Sequence, residues 1–202
     1  MNRLHSASPA DDAAEADTGF FLHGFQQAST SEVPYVLWSQ RRKAIHAQLL
    51  APADPATALR MVWAQDAALS LLQSPFIDQM VQYLEFYQVP AGQTLIQQGE
   101  LGDYLLIVLS GQVRVDRQLA NGQTVHLADT HPGEVLGEMS LFDSSPRFSS
   151  CTTTTDCALA VLKADTLDAM MELDASTAAY LLALFTRKLS TRLRQTSARI
   201  EP

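Results

Sequence analysis

The 202-residue sequence predicts an α+β fold in three parts: N-terminal helices, a compact β-unit and a long C-terminal helix. Three observations carry this. From Val89 to Leu162, short β-prone runs alternate with turn residues, and glycines fall at 92, 99, 102, 111, 122, 133 and 137. Residues 19–88 space their apolar side chains as helices do. The last segment, YLLALFTRKLSTRLRQTSARI, runs from Tyr180 to Ile200 without a glycine or proline.

The elements follow in order. Residues 1–18 are rich in Ala, Asp and Ser and read as a disordered acidic tail. Residues 19–74 form a helical extension. Within it, VPYVLWSQRRKAIHAQLL (33–50) mixes apolar and basic positions at helical spacing, with Pro34 in its first turn. APADPATALRMVWAQDAALSLL reads as a loop followed by a helix. SPFIDQMVQYLEFY opens with Ser74 as an N-cap, ahead of Phe76, Met80 and Leu84 at i, i+4, i+8. In the β-unit, TLIQQ, YLLIVL, QVRVDRQL, QTVHLA, SCTTTT and ALAVL read as strands, and Asn121-Gly122 marks a hairpin. Strands so regularly spaced suggest a small sandwich or barrel.

Helical pattern returns near Ala164, with the terminal helix over 175–200. Leu182, Leu189 and Thr196 are seven apart, as are Thr186, Leu193 and Ile200. Together they form a coiled-coil seam. Arg187, Lys188, Arg192, Arg194 and Arg199 are read as solvated outer faces of this helix, and Arg41, Arg42 and Lys43 as a solvated face earlier on.

Composition narrows the function. A hydrophobic content of 47% supports a packed body. The net charge of −8 argues against broad nucleic-acid binding, which works by neutralising phosphates. No run of about 18 apolar residues predicts a membrane span. The N-terminus lacks the apolar stretch of a secretion signal. Cys151 and Cys157 form no CxxC or Cys/His cluster, so buried thiols in a reducing cytoplasm are expected, and no metal.

One stretch points to a ligand. GEMSLFDSSPRFSS, residues 137–150, places an acid after a glycine and a lone arginine nine positions on, among hydroxyls. A helix starting there presents free N–H groups, which favour an anion. Arg147 can fork onto a phosphate. Glu138, repelled by phosphate, suits sugar hydroxyls. The set fits a nucleotide with one compact phosphate.

VPAGQTLIQQGELGDYLLIVLSGQVRV followed by PGEVLGEMSLFDSSPRFSS resembles the cyclic-nucleotide-binding domain, and the Crp-Fnr branch in particular. The glycine ladder and the cassette GExxLxxxxPRxS occur together and in order. The resemblance covers residues 75–202 as a binding domain, with a β-roll over 89–162. It implies a double-stranded β-helix, a jelly-roll-like β-roll, flanked by N-terminal helices and closed by a long dimerisation helix. Glu138 would hold the ribose 2′-hydroxyl, with room made by Gly137. Arg147 would pair with the cyclic phosphate. Backbone amides near Met139, Ser140 and Phe148 and the hydroxyl of Ser149 would complete the cradle. Thr196 would contact the base, and Ser197 would reach in from the partner subunit.

The expected protein is therefore a cytoplasmic, non-enzymatic sensor without catalytic residues or cofactor. Its ligand is cAMP first, with cGMP or cyclic di-GMP as alternatives. A homodimer through residues 178–200 would signal to a partner protein of unknown identity. DNA binding is not expected, because no helix-turn-helix follows the last helix before Pro202, and no kinase, cyclase or phosphodiesterase signature occurs. The rival expectation is a ligand-free scaffold whose pocket is filled by Phe148, which stands where the family usually has Ala, Ser or Thr.

Overall fold

The structure is a computed structural model that describes residues 19–28, 33–64 and 74–198. The expected acidic tail, residues 1–18, and the Ile200 position of the seam lie outside them. In chain order the elements are α1 (Phe20–Ala28), α2 (Trp38–Ala44), β1 (Gln48–Leu49), α3 (Pro55–Trp63), α4 (Ser74–Met80), a 3-10 turn (Val81–Tyr83), β2 (Glu85–Val89), β3 (Thr94–Ile96), β4 (Tyr104–Ser110), β5 (Val113–Gln118), β6 (Thr124–Thr130), β7 (Val135–Leu136), α5 (Glu138–Asp143), β8 (Ser150–Thr153), β9 (Cys157–Lys163), α6 (Ala164–Leu173) and α7 (Ala175–Ala198).

Two antiparallel sheets face each other, ordered β1-β2-β9-β4-β7 and β3-β8-β5-β6. Strands β2–β9 make the roll, and β1 is added to its edge by the extension. The Asn121-Gly122 hairpin forms as expected, with β5 and β6 paired antiparallel. Strand alternation divides the core in two. Leu95, Tyr104, Leu106, Val108, Val113, Leu136, Leu159 and Val161 fill the inside of the roll. Leu105, Ile107, Ala160 and Leu162, one step out of phase, pack outward against Trp63, Ile77, Met80, Leu167, Leu181 and Phe185 of the helices. Cys151 and Cys157 are buried and unpaired by disulfide.

The extension is built differently from its sequence pattern. Residues 33–50 are not one helix. Pro34 lies in an extended segment rather than in a first turn, because its neighbours pair with the roll: the Val36 N–H donates to the Leu101 carbonyl and the Leu101 N–H to the Pro34 carbonyl, both at 2.8 Å. Long-range pairing overrides the local pattern here. Only then does α2 begin, with the Trp38 N–H donating to Asp103 Oδ1 at 2.8 Å. Trp38 is 1% exposed and joins the interior cluster of the roll, edge-on to Tyr87 and tilted against Tyr104. Arg41 is also no solvated residue, for it pairs with Glu100. Further on, α4 begins at Ser74 and ends earlier than the pattern suggests. Glu85–Val89 leaves the helix to pair with β9, so the β-roll begins at Glu85 and not at Val89.

The other end of the extension is tied to the C-terminal half. The Phe21 and Leu22 N–H groups donate to the two carboxylate oxygens of Asp168 in α6, each at 2.9 Å. This satisfies donors that a helix start leaves free. Phe21 then meets Phe142 of α5 edge-on, at 6.0 Å between ring centroids.

Candidate functional site

The cassette sits where β7 ends. Gly137 turns the chain into α5 with φ +81, and a Cβ built there would lie 2.6 Å from Arg147 Nη1 and 2.9 Å from Ile96 Cδ1. Only glycine meets both demands without strain. Gly102 makes a second close approach, where a Cβ would lie 2.6 Å from Arg147 Nη2.

Arg147 is held by the backbone on both sides. Its N–H donates to the Glu100 carbonyl at 2.7 Å, and its own carbonyl accepts from the Gly99 N–H at 2.9 Å. The guanidinium is aimed inward. Nη1 donates to the Gly137 carbonyl at 2.8 Å and Nη2 to the Tyr104 carbonyl at 2.6 Å. Its Cζ stands 4.7 Å from the Tyr104 ring centroid. Arg147 is 2% exposed, and its buried Nε–H has no partner. Among the described residues it has no ion-pair partner either. Burial therefore lowers its pKa. A buried cation answered only by carbonyls and a ring is costly unless an anion completes it.

Glu138 opens α5 and is 4% exposed. Burial pushes its carboxyl up, and the facing Arg192 works against that shift. Arg192 comes from α7: Nη1 donates to Glu138 Oε1 at 2.7 Å, and Nη2 to Glu134 Oε2 and the Val135 carbonyl, both at 3.1 Å. The Lys188 ammonium lies 3.8 Å from Glu134 Oε1. The reading of these two residues as solvated faces is therefore corrected. They fasten α7 to the segment that carries Glu138.

The remaining expected residues are divided. Ser140 is buried, whereas Met139 is 45% exposed. Ser149 lies beside the Cys151 thiol, which burial pushes up to about 12. Phe148 is 48% exposed and does not pack into the roll. Instead, the Arg117 guanidinium stands 3.6 Å from its ring centroid. Thr196 and Ser197 are exposed, and the Thr196 hydroxyl donates to the Arg192 carbonyl at 2.9 Å. Among the described residues, no hydrogen bond joins either of them to the cassette.

Sequence reasoning missed Arg192, Tyr104, Gly102 and Arg117. A signal existed for Arg192: it lies one helical turn before Thr196, on the same face. Tyr104, Gly102 and Arg117 had none, since their roles come from tertiary contact. Among the described residues, no cluster of His, Cys, Asp or Glu could hold a metal, and no helix is long and apolar enough to cross a membrane.

The chemistry of Glu138 makes a pH prediction. A carboxyl whose folded pKa is raised favours folding while protonated and disfavours it once ionised. This group's contribution to stability therefore falls as pH rises through its folded pKa. Glu138→Gln removes the buried charge, so the variant should lose less stability than the parent as pH rises from about 4, where an unfolded glutamate begins to ionise, to about 7. Urea midpoints at both values check this. A variant that loses as much as the parent would show that Arg192 fully compensates the burial.

The model of the cyclic nucleotide-binding domain matches residues 87–174. A CRP-like cAMP-activated global transcriptional regulator of Mycobacterium tuberculosis is 33% identical over 118 residues, 58% of this chain and 51% of that protein. The cyclic AMP receptor protein of Thermus thermophilus is 35% identical over 113 residues, 56% of this chain and 52% of that protein. The chain thus spans about half the length of these curated relatives. A solved cyclic nucleotide-binding domain from Methylobacillus flagellatus superposes with a TM-score of 0.69 at 26% identity, covering 76% of this chain and 87% of that one.

Proposed function

From a chain that carries a domain of the cyclic nucleotide-binding family over residues 87–174, we propose a non-enzymatic sensor. It binds a 3′,5′-cyclic purine nucleotide and passes the signal to a partner protein. One observation carries this reading. Arg147 is a buried cation whose Nε–H has no partner, within the same cassette as the buried acceptor Glu138. A cyclic phosphate would accept from that Nε–H and from the second hydrogens of Nη1 and Nη2. The N–H groups around Met139, Ser140 and Phe148 and the Ser149 hydroxyl would complete the cradle. Glu138 would accept the ribose 2′-hydroxyl. The names of the two curated relatives support cAMP as the ligand. We place the binding domain at residues 75–202, with 19–74 as its docked extension.

Glu138 would be shared between ribose and Arg192. That sharing couples the ligand to α7, because any change in the Arg192 contact moves the lever that Arg192 anchors. Two free, buried thiols suit a reducing cytoplasm.

Calorimetric titration with cAMP, cGMP and cyclic di-GMP tests the function. Saturable binding of one nucleotide per chain, tightest for cAMP, is expected. No binding of any of the three to folded protein would overturn the reading and favour a scaffold.

The helix α7 would also pair two copies. Leu193 is 68% exposed on the seam that Leu182 and Leu189 begin. Leu193→Asp would set two carboxylates in that apolar seam and should turn a dimer into a monomer in sedimentation. An unchanged sedimentation profile would place the dimer contact elsewhere, or remove it.

A further inference from the structure

We infer that Arg117, stacked on Phe148, is the shelf on which the nucleobase lies, so that a planar cation selects the purine. This rests on the proposed binding of a cyclic nucleotide at Glu138 and Arg147. Strand β5 pairs with β8 in unbroken register from Val113 to Asp116, the step in its pairing with β6 being taken up by the extra residue Leu127, so alternation along β5 puts Val113, Val115 and Arg117 on one face. Val113 is fully buried in the interior cluster and Val115 packs partly against it. Arg117 therefore continues the inward row toward the more exposed end of β5. Opposite it on β6 stands Val125, the register having stepped past Leu127. Phe148 follows directly on the phosphate-binding Arg147. The wall beside the cassette is thus a row of valines ending in a cation–ring pair.

The pair is not buried, since Phe148 is 48% exposed. Arg117 Cζ lies 3.6 Å from the Phe148 centroid, at stacking distance. Among the described residues, the Arg117 side chain makes no hydrogen bond and no ion pair. Its neighbour Arg114 serves the opposite face, toward Asp129. A second phosphate contact is the less favoured role, because Arg147 already supplies the buried cation and the wall around Arg117 is apolar. A flat base fits valines and the free face of a guanidinium. A purine covers more of that face than a pyrimidine. The same geometry gives Phe148 a function: it supports the shelf from behind.

The test titrates cAMP and cCMP, which share ribose and cyclic phosphate, into the parent protein, Arg117→Leu and Arg117→Lys. The parent should bind cAMP more tightly than cCMP. Both variants should lose about tenfold in cAMP affinity, the scale of one lost base stack, and stay within about twofold for cCMP. Equal losses for both nucleotides would overturn the inference, showing that Arg117 acts on the shared phosphate. Full cAMP affinity in Arg117→Lys would overturn it as well, since charge without a plane would then suffice. Unchanged affinities in both variants would do the same. If Arg117→Leu does not fold, Arg117→Lys carries the test alone. A parent that binds neither nucleotide overturns the function itself, and this inference with it, a result distinct from any of the variant outcomes.

Discussion

Arg147→Ala should weaken cyclic-nucleotide binding by about 10–150-fold, the equivalent of one charge-assisted contact worth about 1.5–3 kcal/mol. The loss has two sources. The unpartnered Nε–H, which the proposed phosphate would meet, disappears. The carbonyls of Gly137 and Tyr104 also lose the donors that hold the cradle in shape. The effect on stability is a balance. The Tyr104 carbonyl loses its side-chain donor, at a cost of about 1–3 kcal/mol, and the Gly137 carbonyl keeps only the Leu141 N–H at 3.4 Å, while a buried cation with no anionic partner is removed, which offsets part of that. Affinity should therefore fall far more than the denaturation midpoint. Calorimetry and urea unfolding of the same variant separate the two. A variant that binds as the parent does would move the phosphate elsewhere.

Trp38→Ala should destabilise the protein by about 3–5 kcal/mol, the usual cost of deleting a fully buried aromatic. In a chain of this size that lowers the melting temperature by roughly 10 °C. Trp38 belongs to the extension, yet its ring lies 5.2 Å from Tyr87 and 5.0 Å from Tyr104 between centroids. Tyr104 in turn carries the Arg147 guanidinium through its ring and its carbonyl. The variant should therefore also bind nucleotide more weakly, in proportion to the loosening of Tyr104. Calorimetric melting with and without nucleotide reads both effects. A loss below about 1 kcal/mol would show that the extension rests on the roll without supporting it.

The roll and the cassette were legible because their signals are local. Turn glycines and alternating apolar runs mark strands wherever they occur, and the GExxLxxxxPRxS spacing lies within a single stretch of chain. The extension was legible only in part: the loop and helix of APADPATALRMVW form, as α3, but the course of residues 33–50 was hidden. VPYVLWSQRRKAIHAQLL has helical spacing, but Val36 finds a better partner in Leu101, and Trp38 finds the interior of the roll. Such pairings, about 65 residues apart in sequence for Trp38 and Asp103, leave no local trace. Charge misled in the same way. Arg41 and Arg192 look like solvated helix residues, yet each reaches a buried carboxylate on a distant segment, Glu100 and Glu138. A long basic side chain can span from a helix surface to a site below it, so its sequence position fixes its helix face but not its partner.

The most direct measurement follows the Arg147 Nε–H resonance by nuclear magnetic resonance during cAMP titration, assigned by its absence from Arg147→Lys. A saturable downfield shift, tracking the calorimetric binding curve, is the predicted result, because a phosphate oxygen would then accept from the N–H of the one guanidinium nitrogen that has no partner. Saturable binding with that resonance unmoved would contradict the account, since the nucleotide would then be held without Arg147.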